Sequence, residues 1–135
     1  MTLTPIAVQH LRGMWDWVRE GLEVVRATRK DCAWLPEDVY FELMQGMAHL
    51  YVIGAEDGFI VVKPCVNTYE RVLFVWAMWA PPGTLLRRRH HVMDAIKDIA
   101  RKAGLTRIRM DTTRDAEWSA SKLLVPVSTI FECEV

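Results

Sequence analysis

The spacing of apolar residues along the chain predicts two helices near its start. Apolar side chains recur every three or four residues over residues 7–29, which is typical of an amphipathic helix. The members of this stripe are Val8, Leu11, Trp15, Val18, Leu22 and Val25. A second helix is predicted from Pro36 to about Met47, because Glu37 and Asp38 would lie beside the positive end of its dipole. Thr2–Thr4 is predicted to be a short first strand.

The pattern then changes to extended segments. Ala48–Gly54 and Phe59–Cys65 flank the turn-like Glu56-Asp57-Gly58, which predicts a β-hairpin. Val72–Ala80 is almost entirely apolar, as expected of a central strand that is covered on both faces.

The second half of the chain predicts a strand–helix–strand unit and two further elements. A helix over Arg87–Ala103 would end at Gly104, and Arg107–Thr113 alternates like a strand. A short helix over 115–124 and a last strand over 131–135 complete the order (β)-α-α-β-β-β-α-β-α-β. This order predicts an α/β fold with one mixed sheet, in which the strands joined by the helix are parallel. The sequence has neither repeats nor linkers, so residues 1–135 are expected to form a single domain.

The charge is zero overall but unevenly distributed. Residues 81–110 carry eight basic and two acidic side chains, a net charge of +6, while 1–80 and 111–135 each carry −3. Of the 135 residues, 51% are hydrophobic and 25% are charged, which excludes a disordered or collagen-like chain.

The sequence favours a reducing compartment and no membrane insertion. Cys32, Cys65 and Cys133 are an odd, widely spaced set that suits neither a disulfide framework nor a zinc knuckle. The N-terminus lacks the basic region of a signal peptide, and every long apolar stretch is interrupted by charges. We therefore expect a cytoplasmic protein.

The order of elements resembles the GNAT superfamily, the acetyl-CoA-dependent N-acetyltransferases. Leu3–Leu11 resembles the family's first strand and helix, and Leu73–Ala80 its central strand. Arg87–Gly104 followed by Arg107–Thr113 resembles the cofactor helix and the strand after it. Within the superfamily, Trp34–Tyr40 and Leu73–Ala77 resemble the small GNAT-like proteins of tailed phages. That resemblance implies a protein of the virion or the host cytoplasm.

The resemblance also shows where this chain departs from the family. The family binds the pyrophosphate of CoA with an Arg/Gln-x-x-Gly-x-Gly/Ala stretch, whose glycines let backbone N–H groups approach the phosphates. Counting back from Gly104 places Thr84 at the Arg/Gln position and Arg87 and Arg89 at the glycine positions. The family's general-acid tyrosine on the last helix has no counterpart, because the tyrosines are Tyr40, Tyr51 and Tyr69.

A basic cluster at the expected start of the cofactor helix is the main candidate site. An anion or a partner surface is predicted to contact Arg87, Arg88, Arg89, His90 and His91. If CoA binds, the resemblance implies contacts from Val75, Ala77 and the three arginines. Nucleic acid is disfavoured because no aromatic residues interleave with the arginines. No metal site is expected, since adjacent helical histidines project about 100° apart.

Weaker candidates lie elsewhere. Glu37, Asp38, Glu42 and Asp111 are carboxylates that could act as a base, and His10 and His49 are isolated histidines. Trp76 and Trp79 are predicted to face opposite sides of their strand, and Trp17 lies off the apolar stripe of the first helix. Trp17 is therefore a candidate either for packing at the margin of the core or for a partner surface.

Two functions are compatible with these patterns. The first is a non-catalytic GNAT-like binding or structural module, associated with a phage virion, that needs no cofactor and acts through a protein partner or self-association. The alternative is a divergent N-acetyltransferase that holds the phosphates of acetyl-CoA with arginine side chains.

Overall fold

The computed structural model describes residues 2–29 and 32–110. Eight elements follow in chain order: β1 Leu3–Pro5, α1 Val8–Ala27, α2 Pro36–Met44, β2 His49–Ile53, β3 Gly58–Val66, β4 Arg71–Trp79, α3 Thr84–Lys102 and β5 Arg107–Met110. The helix predicted over 115–124, the strand predicted over 131–135 and Asp111 lie outside the described residues. Every predicted element before residue 111 is present, with its bounds shifted by up to three residues.

The five strands form one mixed sheet in the order β1-β2-β3-β4-β5. The first four strands are antiparallel neighbours, and β5 pairs with β4 in parallel, from Val72↔Arg107 to Val75↔Met110. The prediction of an α/β fold with a parallel crossover through α3 is confirmed.

Two hydrophobic clusters cover opposite faces of the sheet. The first, here called the α3-side core, joins α3 to the sheet; its buried members are Ile53, Ile60, Val62, Leu73, Val75, Val92, Met93, Ile96, Ala100 and Leu105. The second, the α1/α2-side core, contains Leu11, Val18, Leu22, Val39, Leu43, Ala48, Leu50, Phe59, Val61 and Ala77. The described elements therefore form three layers, with the sheet between α1 and α2 on one side and α3 on the other.

A β-bulge in β4 changes which residues share a face. Val61 of β3 is opposite Ala77 and Val62 is opposite Val75, so Trp76 is the extra residue. The prediction that Trp76 and Trp79 face opposite sides is wrong, because both pack against the α1/α2-side core. Strict alternation would place residues three positions apart on opposite faces, and the bulge at Trp76 cancels that separation.

Trp17 packs against the core, which is one of the two alternatives that its position off the helical stripe left open. Its ring lies edge-on to Phe59, with centroids 5.5 Å apart, and edge-on to Trp79 at 5.9 Å. The described tryptophans, Trp15, Trp17, Trp34, Trp76 and Trp79, are all half-buried against the same core.

The third helix begins earlier than the predicted Arg87. It starts at Thr84, and Gly83 at its N-cap has a φ of 84°, a conformation that glycine adopts without strain. Inside the helix, Arg88 has non-helical backbone angles (φ −111°, ψ 15°). The helical spacing of apolar residues begins only after this irregular turn. The spacing therefore did not predict that the first three residues, 84–86, belong to the helix.

Candidate functional site

The start of α3 follows the end of β4 through a tight turn. The Thr84 N–H donates to the Pro81 carbonyl at 3.1 Å, and Gly83 has no capping side chain. The first turn of the helix contains no acidic residue. The first N–H groups of a helix lack intrahelical partners and carry partial positive charge, so this end of α3 favours a negatively charged group.

Arg88 connects this helix start to the turn between β2 and β3. Its Nη1 donates to Oδ2 of Asp57 at 3.2 Å, and both side chains are a little over two-fifths exposed. The Asp57 N–H in turn donates to the Ile53 carbonyl at 2.9 Å, which fixes the turn that presents the carboxylate. The guanidinium of Arg88 is thus directed toward the β2–β3 turn.

The other members of the basic cluster differ in exposure. Arg89 is half-buried, while His90 and His91 are exposed. The backbone of Arg87 is helical; its side chain lies outside the described part of the structure. Successive helical residues point about 100° apart, so the five side chains cannot all face one ligand. A contact with an extended anionic surface would suit this arrangement better than one small anion.

Val75 and Ala77, the strand residues implied by the family resemblance, lie on opposite faces of the sheet. Val75 is 2% exposed in the α3-side core and Ala77 is 3% exposed in the α1/α2-side core. The bulge at Trp76 separates them. Their side chains act as core residues, so a cofactor contact from either would have to use main-chain atoms.

The residues at the start of α3 do not fit the family's glycine cradle for CoA. The observed first residue, Thr84, coincides with the position that opens the cradle. The next two glycine positions are then Arg87 and Arg89, and a Cβ at either position blocks close approach of the backbone to a phosphate. Gly83 is the only glycine in this turn, and it precedes the helix.

The candidate carboxylates near α2 are engaged in structural contacts. Oε1 of Glu37 lies 3.0 Å from Arg19 of α1, and Oδ2 of Asp38 accepts from the Leu35 N–H at 2.8 Å. Glu42 accepts from Nζ of Lys63 at 3.0 Å. The Glu37 and Glu42 contacts join α2 to α1 and β3, whereas Asp38 caps the start of α2 itself.

The tyrosines and the isolated histidines are distributed over the described elements. Tyr40 of α2 packs on Trp15, with ring centroids 4.7 Å apart. Tyr51 packs against the α3-side core, and Tyr69 lies in the turn between β3 and β4. His10 and His49 are both exposed. The structure does not bring these side chains together.

Sequence reasoning missed two partners of the described charged residues. Asp57 is 31 positions from Arg88, and no local pattern relates them. Lys63 lies between the carboxylate of Glu42 and the ring of Trp76, with Nζ 4.6 Å from the ring centroid. A lysine inside an otherwise apolar strand was the available signal for this contact.

Comparisons with known proteins show the fold. A GCN5-related N-acetyltransferase from Ralstonia eutropha superposes with a TM-score of 0.70 at 12% identity, covering 98% of this chain and 97% of that chain. A ribosomal-protein-alanine N-acetyltransferase from Brucella melitensis superposes with a TM-score of 0.63 at 10% identity, covering 100% and 99%. Neither a protein-family model nor a curated protein matches the sequence. The chain therefore has the GNAT fold, at an identity that establishes the fold alone.

No helix in the described part of the chain is long and apolar enough to span a membrane. Across 2–29 and 32–110, the helices carry too many charges and too few apolar residues to cross a bilayer.

Proposed function

We propose that this protein is a non-catalytic GNAT-fold binding module. One observation carries the proposal: at the start of α3, Arg87 and Arg89 occupy the positions where an acetyl-CoA cradle requires glycine. The guanidinium of Arg88, which lies between these two residues in the sequence, contacts Asp57 of the neighbouring turn. We expect the basic segment Arg87–His91 to contact an acidic partner surface.

The association with a phage virion is the finer part of this proposal. It is supported by the resemblance of Trp34–Tyr40 and Leu73–Ala77 to small GNAT-like proteins of tailed phages. A gene located between capsid and tail genes, and the protein's presence in purified particles, would support this part. A gene among host metabolic genes would contradict it.

A divergent N-acetyltransferase is the second candidate. Its specific support is the start of α3, where Gly83 is the N-cap residue and has a left-handed backbone conformation. The first turn of this helix contains no acidic residue. An anion is favoured at such a helix end. In this alternative the arginine side chains would hold the phosphates in place of a glycine backbone.

Titration with acetyl-CoA distinguishes the two candidates. The binding module should show no shift in thermal unfolding and no heat of binding at millimolar acetyl-CoA. A cofactor at about 1,000 times its Kd would instead stabilise the fold by about 4 kcal/mol. Micromolar binding that is lost in Arg87→Ala and Arg89→Ala would overturn the proposal. Arg101→Ala is the matched control, since it removes one arginine from the exposed end of the same helix.

A further inference from the structure

The turn between β3 and β4 presents an unusually exposed tyrosine. Tyr69 is 93% exposed and Val66, at the end of β3, is 61% exposed. Pro64 and Cys65 are exposed as well, so the last three residues of β3 extend beyond the cores. We name Cys65–Arg71 the β3–β4 arm.

The arm is held in one conformation by its own hydrogen bonds. Oδ1 of Asn67 accepts from the N–H groups of both Tyr69 and Glu70 at 2.8 Å. The Asn67 N–H donates to the Glu70 carbonyl at 3.0 Å, which closes the turn. A preorganised turn loses little conformational entropy when its side chains bind a partner.

The base of the arm is clamped to β5. Arg109 donates from Nη2 and Nη1 to the two carboxylate oxygens of Glu70, at 2.9 and 3.3 Å. The Arg109 guanidinium lowers the pKa of Glu70 below its usual range, so the pair is ionised at neutral pH. The Thr106 N–H also donates to the Arg71 carbonyl at 2.9 Å. These contacts attach the base of the arm, and therefore the turn that carries Tyr69, to the edge of the sheet.

The surroundings of the arm are basic. Among the described residues at its base, Arg71, Arg107 and Arg109 are exposed and only Glu70 opposes them. Tyrosine and arginine are the residues most enriched at the energetic centres of protein interfaces. The arm therefore suits an acidic surface that offers an apolar contact for Tyr69.

The outer face of α2 offers partly complementary chemistry: it carries two exposed carboxylates, of which Glu37 also pairs with Arg19 and Asp38 also caps the start of its own helix. Glu37, Asp38, Phe41 and Gln45 are all exposed and repeat at helical spacing. Phe41 is 59% exposed, and Leu35 beside this face is 48% exposed. Because Tyr69 and Phe41 are both exposed, the arm does not cover this face within one copy.

We propose that the β3–β4 arm of one copy docks on the outer face of α2 of a second copy. The formal net charge of zero removes the repulsion that would otherwise keep copies apart. Two different surfaces meet in this contact, so it can form twice in a closed two-fold dimer or repeat head-to-tail in a ring or an open chain. The proposal is independent of whether the domain binds acetyl-CoA.

Sedimentation velocity over a concentration series tests the contact on the full chain. We expect concentration-dependent association into dimers or larger species at about 0.1 M salt, and weaker association at about 1 M salt, where the Debye length shrinks from about 10 Å to about 3 Å. Tyr69→Ser and Phe41→Ser should each weaken association about tenfold or more. Thermal unfolding and circular dichroism of each variant establish that it is folded.

A charge exchange makes the test specific to the two surfaces. Arg71→Glu or Glu37→Lys alone should weaken association, and the double variant Arg71→Glu/Glu37→Lys should restore it. Lys97→Glu, the same charge change on α3, is the control and should leave association unchanged. A protein that stays monomeric at every concentration would overturn the proposal. Association that is insensitive to Tyr69→Ser and to the charge exchange would overturn it as well.

Discussion

The two sides of the sheet are filled with different kinds of side chain. The buried members of the α3-side core are all non-aromatic. In the α1/α2-side core, Phe59 instead lies between the rings of Trp17 and Trp79, and Trp34 packs on Trp76. Aliphatic side chains tolerate repacking, whereas large rigid rings need matched space. We therefore expect the aromatic side to respond more sharply to small changes in shape.

The largest expected effect comes from removing the central ring of the aromatic side. Phe59 is fully buried, with ring centroids of Trp17 and Trp79 at 5.5 and 5.8 Å. Phe59→Ala should lower the free energy of unfolding by about 3–5 kcal/mol. Ile96→Ala, at an equally buried position on the other side, should cost about 2–5 kcal/mol. Chemical denaturation measures both, and a smaller loss for Phe59→Ala than for Ile96→Ala would contradict the comparison.

A glycine in α1 sharpens the comparison further. A Cβ at Gly21 would lie 2.6 Å from a ring carbon of Phe59 and 3.0 Å from Trp79, so Gly21→Ala should destabilise by about 1–3 kcal/mol. Gly13→Ala is the matched control in the same helix, since its Cβ would meet no atom within 4 Å. Because alanine is the better helix former, the control should stabilise by up to about 1 kcal/mol. Similar melting temperatures for the two variants would contradict the prediction that the ring contacts at Gly21 exclude a Cβ.

The ion pair at the start of α3 should contribute little to stability. Both side chains of Arg88–Asp57 are partly exposed, and exposed pairs are worth about 0–1 kcal/mol. A double-mutant cycle with Arg88→Ala and Asp57→Ala measures the coupling at two salt concentrations. A coupling energy above about 2 kcal/mol would contradict this prediction, because it would exceed the contribution expected of an exposed ion pair.

The smallest expected effect is a pH dependence at the base of the β3–β4 arm. Arg109 lowers the pKa of Glu70 from its ordinary 4.5, so the stability from this pair is present above that value and is lost as pH falls through the folded pKa. Glu70→Gln should therefore be less stable than the unchanged protein at neutral pH, and the difference should close in acid. Glu20→Gln, at an exposed position on α1, is the control. A difference that persists unchanged in acid would refute the assignment to this ion pair.

Much of the fold followed from the sequence because burial imposes a period on each element. The α1 stripe, the hairpin of β2 and β3, and the apolar β4 were all predicted near their observed bounds. The candidate site was less predictable. Its basic cluster was visible at Arg87–His91, but the side chain that meets Arg88 is 31 residues away. Ion pairs between distant segments leave no periodic signal.

By itself, the sequence determined the order of elements, the mixed sheet and the position of the basic segment, since each depends on local patterns of apolar and charged residues. Only the tertiary structure decided that Trp76 and Trp79 share a face, because a bulge forms through the pairing of β3 with β4. It likewise decided that Trp17 is half-buried against Phe59. Packing between elements can override the period of one element, and no single segment contains that information.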